Sequence, residues 1–333
     1  MRKEFKNETK KTSKDEKEGE KMKKYLVKRL IQLPIIILGV IIVTFLIVQF
    51  TPGDPAVKLA GSSARVEDIE AIREQLGLNK PLWEQFVDYF TNVLHGDFGR
   101  SFLRKTEISK DLMSALVNTI YLIVFARIWS VAAAIPLGII AALKQNTWID
   151  KACMGLTLAG VSIPQFWLGL MLMKIFCLQM GLFPFSGMGN SFFSLDGMMH
   201  AFLPALMLGL PQMASISRLT RSEMLEVMRQ DYIRTAKAKG LRYKSIVIKH
   251  ALKNASLPLI TVIGTQTGYM LSGSVVIESI FAWPGLGRYS ITAIIGNDYP
   301  VIQASILLFA IMFLVVNLIV DLTYSAVDPR IKY

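Results

Sequence analysis

The sequence predicts an all-α polytopic membrane protein with six transmembrane helices and a small helical cap on the outer side. Three observations carry this. The 333 residues are 52% hydrophobic, with mean hydropathy +0.42. Apolar runs at about 31–50, 116–142, 155–179, 199–215, 257–280 and 302–324 approach the length of about 20 residues that crosses a hydrocarbon core of about 30 Å. Basic residues also alternate along the chain. Residues 1–30 hold twelve Lys/Arg against six acids, and 216–256 hold ten against three, whereas 181–200 hold none and 282–301 only Arg288. With six spans, every basic segment falls on one face, so the positive-inside rule places both termini in the cytoplasm.

Residues 1–24 read as a charged cytoplasmic tail, and 1–21 carry too little apolar surface to fold alone. Lys23, Lys24, Lys28 and Arg29 flank the first run, which is too long for the apolar core of a typical signal peptide, so it is expected to stay uncleaved. Residues 25–111 then comprise the first span and an external helical loop. The stretch 51–110 is nearly neutral, with eight Lys/Arg and nine acids, and long loops translocate largely regardless of charge. Val66 to Leu76 predicts an amphipathic helix ended by Gly77. Pro81 opens a second, with Leu82, Phe86, Tyr89, Phe90 and Val93 at helical spacing.

Residues 112–325 form a five-helix core. Lys144 and Lys151 mark a short cytoplasmic turn after the second span. Pro136, Pro164, Pro204 and Pro258 fall in or at the ends of spans, where neighbours re-satisfy the freed carbonyls. The fourth run is the least regular, being short and holding Pro204 and Pro211, and a re-entrant segment is its alternative. Gly138, Gly155, Gly160, Gly169, Gly264, Gly268 and Gly273 suit close helix packing. The outer segment Ala282–Pro300 is rich in Gly, Pro and aromatics, and Trp283 and Tyr289 read there as interfacial anchors. Residues 326–333 form a cytoplasmic tail.

Composition also excludes classes of function. The net charge of +12 is distributed by topology, so it points to anionic lipid and not to nucleic acid. No phosphate loop, His-Glu-x-x-His or nucleophile–base–acid set is present, so no catalytic residue, cofactor or metal site is expected. His95, His200 and His250 lie in different segments, although the outer two can meet near an entrance, and Cys153 and Cys177 read as packing residues. The charges inside spans are Arg127, Lys174, Glu278 and Asp321. The last three lie towards span ends, where snorkelling or interfacial pairing is ordinary, while Arg127 is deeper and faces the bundle or a wet cavity. No acid sits near a midplane, which argues against an ion-driven relay.

The basic stretch 221–258 is the most informative. Asp231 is placed to cap a short helix, Lys237 and Lys239 suit its last turn, and Gly240 supplies a left-handed stop with Leu241 packing back on Ala236. A helix of about two turns, held between longer ones below a membrane domain, is a docking element.

Its core reads Arg234-Thr235-Ala236-x-Ala238-Lys239-Gly240-Leu241. Upstream stand Thr51-Pro52-Gly53-Asp54-Pro55, Leu76-Gly77-Leu78-x-x-Pro81-Leu82 and His95-Gly96-Asp97-x-Gly99-Arg100-Ser101. Downstream come Phe281-x-Trp283-Pro284-Gly285-Leu286-Gly287 and Asp328-Pro329-Arg330-Ile331-x-Tyr333. In this order, from about residue 24 to the end, they resemble the permease subunits of binding-protein-dependent ABC importers of the peptide/nickel family (dipeptide/oligopeptide permease B-type). In that subclass the Glu-Ala-Ala of the cytoplasmic loop reads Arg-Thr-Ala.

The resemblance implies a type I ABC importer transmembrane fold in the inner membrane and a pore-forming, non-catalytic subunit. It implies an ATPase-docking site at Asp231, Tyr232, Arg234, Thr235, Ala236, Ala238, Lys239 and Gly240. The implied partners are a second homologous permease subunit, cytoplasmic ATP-binding-cassette ATPases and an extracytoplasmic substrate-binding protein. The implied cargo is peptides, glutathione included, or nickel and metal chelates. Two other readings stand beside it. In one the chain is a secondary transporter or channel working without an ATPase, and in the other it is a membrane anchor or sensor.

Overall fold

The computed structural model describes residues 31–50, 54–61 and 64–327. The expected tail 1–24, residues 328–333 of the expected tail 326–333, and Thr51-Pro52-Gly53 lie outside the described residues. The described chain is almost wholly helical. α1 (Ile31–Phe50) is an apolar span. α2 (Pro55–Ala60), α3 (Val66–Gln75) and α4 (Leu82–Leu94) form the cap, α5 (Ile108–Leu143) follows, and α6 (Trp148–Ser162) leads to α7 (Gln165–Gln179). Then come α8 (Leu195–Val227), α9 (Asp231–Ala238), α10 (Tyr243–Ile280), α11 (Leu286–Gly296) and α12 (Tyr299–Val327).

Five helices (α1, α5, α8, α10 and α12) are long and apolar enough to cross a membrane, and the α6–α7 pair makes a sixth if taken as one span. That pair corrects the sequence reading. The expected irregular span was the fourth, yet α8 runs unbroken for 33 residues through Pro204 and Pro211, while α6 and α7 meet at 100°. Proline decides both outcomes. Pro164 stands at the N-cap of α7, where the residue before it, Ile163, takes an extended backbone that α6 cannot continue through. α8 is packed along its length by α5, and Trp129 Nε1 donates to the Ala205 carbonyl at 2.7 Å.

Small residues permit that packing. A Cβ on Gly138 would lie 2.5 Å from Thr220 of α8, and one on Gly264 would lie 2.6 Å from Val320 of α12. Gly155 is different: among the described residues nothing lies within 4 Å of a Cβ built there, so no close packing is seen at it.

The cap forms as its pattern predicts, with Gly77 at φ +68 after α3 and Pro81 at the start of α4. It is fastened to α1 by ring contacts, Phe45 meeting Phe86 edge-on at 5.4 Å and Tyr89 stacked at 6.0 Å, and by Gln49 donating to Gln85 at 2.9 Å. Arg73 pairs with Asp54, and that bond holds the Asp54 carboxyl below its ordinary value.

Candidate functional site

The short helix α9 lies between the ends of α8 and α10. Ile233 and Ala236, three residues apart, turn inward and are buried in a cluster with Ala142 of α5, Met224 of α8, and Ile246, Val247, Ala251 and Ala255 of α10. Tyr232 Oη accepts from Asn254 Nδ2 at 2.8 Å, a second tie to α10. Its end has the double closure that a left-handed residue allows: Gly240, at φ +74, donates to Lys237 O, and Leu241 donates to Ala236 O at 3.3 Å. Leu241 nevertheless leaves 42% of its surface exposed, so the closure is made by backbone more than by side-chain packing.

Two details of the sequence reading need correcting. Gln230 is the N-cap, and Asp231 is the first helical residue, making no capping bond and lying 3.5 Å from Arg234. Ala236, expected as part of the docking site, is buried against the chain's own helices, so its small size serves the internal cluster. The remaining candidates, Asp231, Tyr232, Arg234, Thr235, Ala238, Lys239 and Gly240, are exposed, as is Lys237. At 100° per residue, Asp231, Arg234, Thr235 and Ala238 share the face opposite Ile233 and Ala236. The result is a rigid helix with a small, polar, outward face.

Its support includes a pair the sequence does not announce. Arg221 of α8 donates from Nε and Nη2 to both oxygens of buried Asp150 at 2.7 Å each. Asp150 also accepts from Asn146 N at 3.0 Å, so it closes the α5–α6 turn and joins that turn to α8.

The opposite end of the bundle holds a buried polar knot. Glu278 of α10 is fully buried and accepts from Thr119 Oγ1 and Gly287 N, both at 2.7 Å, and from Arg288 N at 3.1 Å. It therefore satisfies the first turn of α11, where N–H groups have no helical partner. Trp283 is fully buried, stacks on Tyr121 at 6.0 Å and donates to Asn118 O at 3.0 Å, while Asn118 Nδ2 donates to Pro284 O at 2.8 Å. Gly285 and Gly287 leave room for the carboxylate, since a Cβ on Gly285 would stand 2.4 Å from Glu278. Glu278 is thus a cap instead of a snorkelling end residue. Trp283 and Tyr289 are core residues instead of interfacial anchors, and burial pushes the Tyr289 hydroxyl up to about 12.

Nearby, buried Asp298 accepts from Ser101 Oγ and from the backbone N–H groups of Phe102, at 3.1 Å, and Leu103, at 3.2 Å. It pins the segment before α5 to the α11–α12 turn. Only its position in a tight turn, after the left-handed Asn297, could have singled it out.

Among the described residues no group of three or more His, Cys, Asp or Glu is placed to hold a metal. His200 Nδ1 lies 3.3 Å from Asp196 and His95 Nδ1 lies 2.8 Å from Thr91 O, each within its own helix. The nitrogens of Arg127 are buried with no hydrogen-bond partner among the described residues, which fits its expected place facing the bundle.

A bundle of membrane-length helices with a short helix braced across one end is the build of an ABC-importer permease. The chain belongs to that family: the model of the binding-protein-dependent transport system inner membrane component matches residues 134–333, and its N-terminal companion matches 22–123. Glutathione transport system permease proteins GsiC from Salmonella choleraesuis and Escherichia coli K12 are 42% and 40% identical to it, each over 94% of this chain and 100% of the relative. Two inward-facing structures of the MetNI methionine ABC transporter share the fold, with TM-scores 0.55 and 0.54 at 16% and 17% identity. They cover 66% and 65% of this chain and 96% of theirs.

Proposed function

We propose that this permease carries short peptides, with glutathione as the model cargo, and that a separate ATPase drives it through α9. One observation carries the reading: α9 is held by buried Ile233 and Ala236 and presents Asp231, Arg234, Thr235 and Ala238 outward. Such a helix transmits a push without absorbing it. The glutathione permeases, matched over their whole length, support the peptide cargo, with nickel or a metal chelate as the alternative. The chain itself is read as non-catalytic, working with a second homologous permease, ATPase subunits and an extracytoplasmic binding protein.

Reconstitution tests this. Proteoliposomes of the full complex are expected to take up labelled glutathione only with ATP and binding protein, and this chain alone should show neither uptake nor ATP hydrolysis. Uptake by the chain alone on an imposed proton gradient would refute the reading.

In the proposed orientation, residues 216–256 and both termini face the cytoplasm and 51–110 face outward. The basic-residue alternation supports it, and so does an even number of spans when the α6–α7 pair is counted as one. Single cysteines at Asn190 and Lys244, in a background without Cys153 and Cys177, should divide cleanly. An impermeant thiol reagent should label position 190 in intact cells and position 244 only after lysis. Labelling of 244 in intact cells would reverse the assignment. Ser62, a third site for such a probe, lies outside the described residues.

A further inference from the structure

An open cavity of about 280 Å³ lies between the first turns of α5 and α11, lined by Arg104, Asp111, Asn118, Arg288, Tyr289 and Thr292 among others. Its polar groups are under-used. The Arg104 guanidinium stands over the Tyr289 ring at 5.0 Å and only loosely meets Asp111, at 3.7 Å, leaving its side chain 53% exposed. Arg288 is exposed and spends one donor on Ala282 O at 2.7 Å. Asp111 already accepts from Thr106 at 2.8 Å. Tyr289 also lines the cavity, but its hydroxyl is closed off from solvent and has no hydrogen-bond partner among the described residues. Two guanidinium groups, set against one engaged acid, form a site for an anion.

We infer that this cavity seats a carboxylate side chain, an Asp or Glu on the docking face of the extracytoplasmic binding protein. The inference rests on the importer reading and orientation proposed above. Arg288 is the only basic residue in 282–301, on a side where basic residues near span ends are disfavoured, so its presence needs a reason. A free peptide fits less well. Its ammonium would find only Asp111, already engaged, whereas a single acidic side chain uses the donors and brings no unmatched cation. The walls are also fixed within one subunit, because Glu278 and Asp298 pin α11 and the segment before α5. A platform of this kind suits docking better than passage.

The assembled importer in lipid nanodiscs, titrated with its binding protein, provides the test. Arg104→Glu and Arg288→Glu are each expected to weaken capture at least tenfold at low salt, and the gap from wild type should shrink as salt screens the pair. Size-exclusion and thermal unfolding of each complex identify a variant that fails to fold, and Arg104→Lys, which keeps the charge, should retain most of the affinity. In a lysine scan of the binding protein's exposed acids, one substitution should restore capture by Arg104→Glu. Folded Arg104→Glu and Arg288→Glu complexes that capture with wild-type affinity would overturn the proposal. So would saturable binding of labelled glutathione to the complex without binding protein, lost in Arg104→Glu while capture stayed intact. A wild-type complex that captured no binding protein would instead remove the importer reading, and the proposal with it.

Discussion

Ala238→Glu is expected to abolish uptake, by tenfold or more, at near-normal abundance, whereas Ala236→Glu should lower abundance and uptake together. The two alanines lie two residues apart on α9 but face opposite ways. Ala238 is exposed on the outward face with Arg234 and Thr235, so a longer acidic side chain there spoils only the contact with a partner. Ala236 is packed in the cluster with Ile233, Met224 and Val247, where an unpaired carboxylate carries a desolvation penalty of several kcal/mol. Gly240→Val adds a third case. At φ +74 a β-branched residue meets a left-handed penalty of roughly 1–2 kcal/mol, so the end of α9 should loosen while the cluster persists. Abundance, ATPase co-purification and uptake, measured in one series, check all three. Wild-type uptake by Ala238→Glu would remove this face from the energy path.

Glu278→Ala is expected to destabilise the α11 end of the bundle more than any surface change. It removes the acceptor of two buried donors, Thr119 Oγ1 and Gly287 N, and of the partly buried Arg288 N, and each buried donor left unpaired costs about 1–3 kcal/mol. Gly285→Ala should act in the same direction, since its new methyl would stand 2.4 Å from the carboxylate. Glu278→Gln keeps an acceptor oxygen of similar reach and should lose less. Thermal unfolding of the purified complex is the measurement, with a drop of more than about 5 °C expected for the alanine variant. An unchanged melting temperature for Glu278→Ala would show that the knot contributes little.

Much of the architecture was legible because a membrane constrains sequence locally. A span must be a long apolar helix whose backbone bonds within itself, so hydropathy alone located α1, α5, α8, α10 and α12. Left-handed turns demand a residue without a side chain, so Gly77 and Gly240 announced the ends of α3 and α9. Periodicity likewise foretold α4, where Phe86 and Tyr89 return one turn apart to meet α1.

What the sequence by itself determined is therefore the list of elements, the asymmetry of charge and the place of the short helix α9, all of which depend on neighbours within a few residues. Only the tertiary structure decided which way each side chain serves. Proline at 164 broke a helix where prolines at 204 and 211 did not, because α8 is supported along its length by α5. Trp283 looked like an interfacial anchor, since apolar body and polar tip suit both settings, until Asn118 and Tyr121, more than 160 residues away, were seen to receive it. Asp150 and Arg221, separated by 71 residues, carry no pattern that pairs them. Ala236 and Ala238 are the same residue type two positions apart, and which one is left exposed depends on where α10 lies. Hydropathy and backbone preference act over a turn or two of chain, whereas burial and ion pairing depend on distance in space.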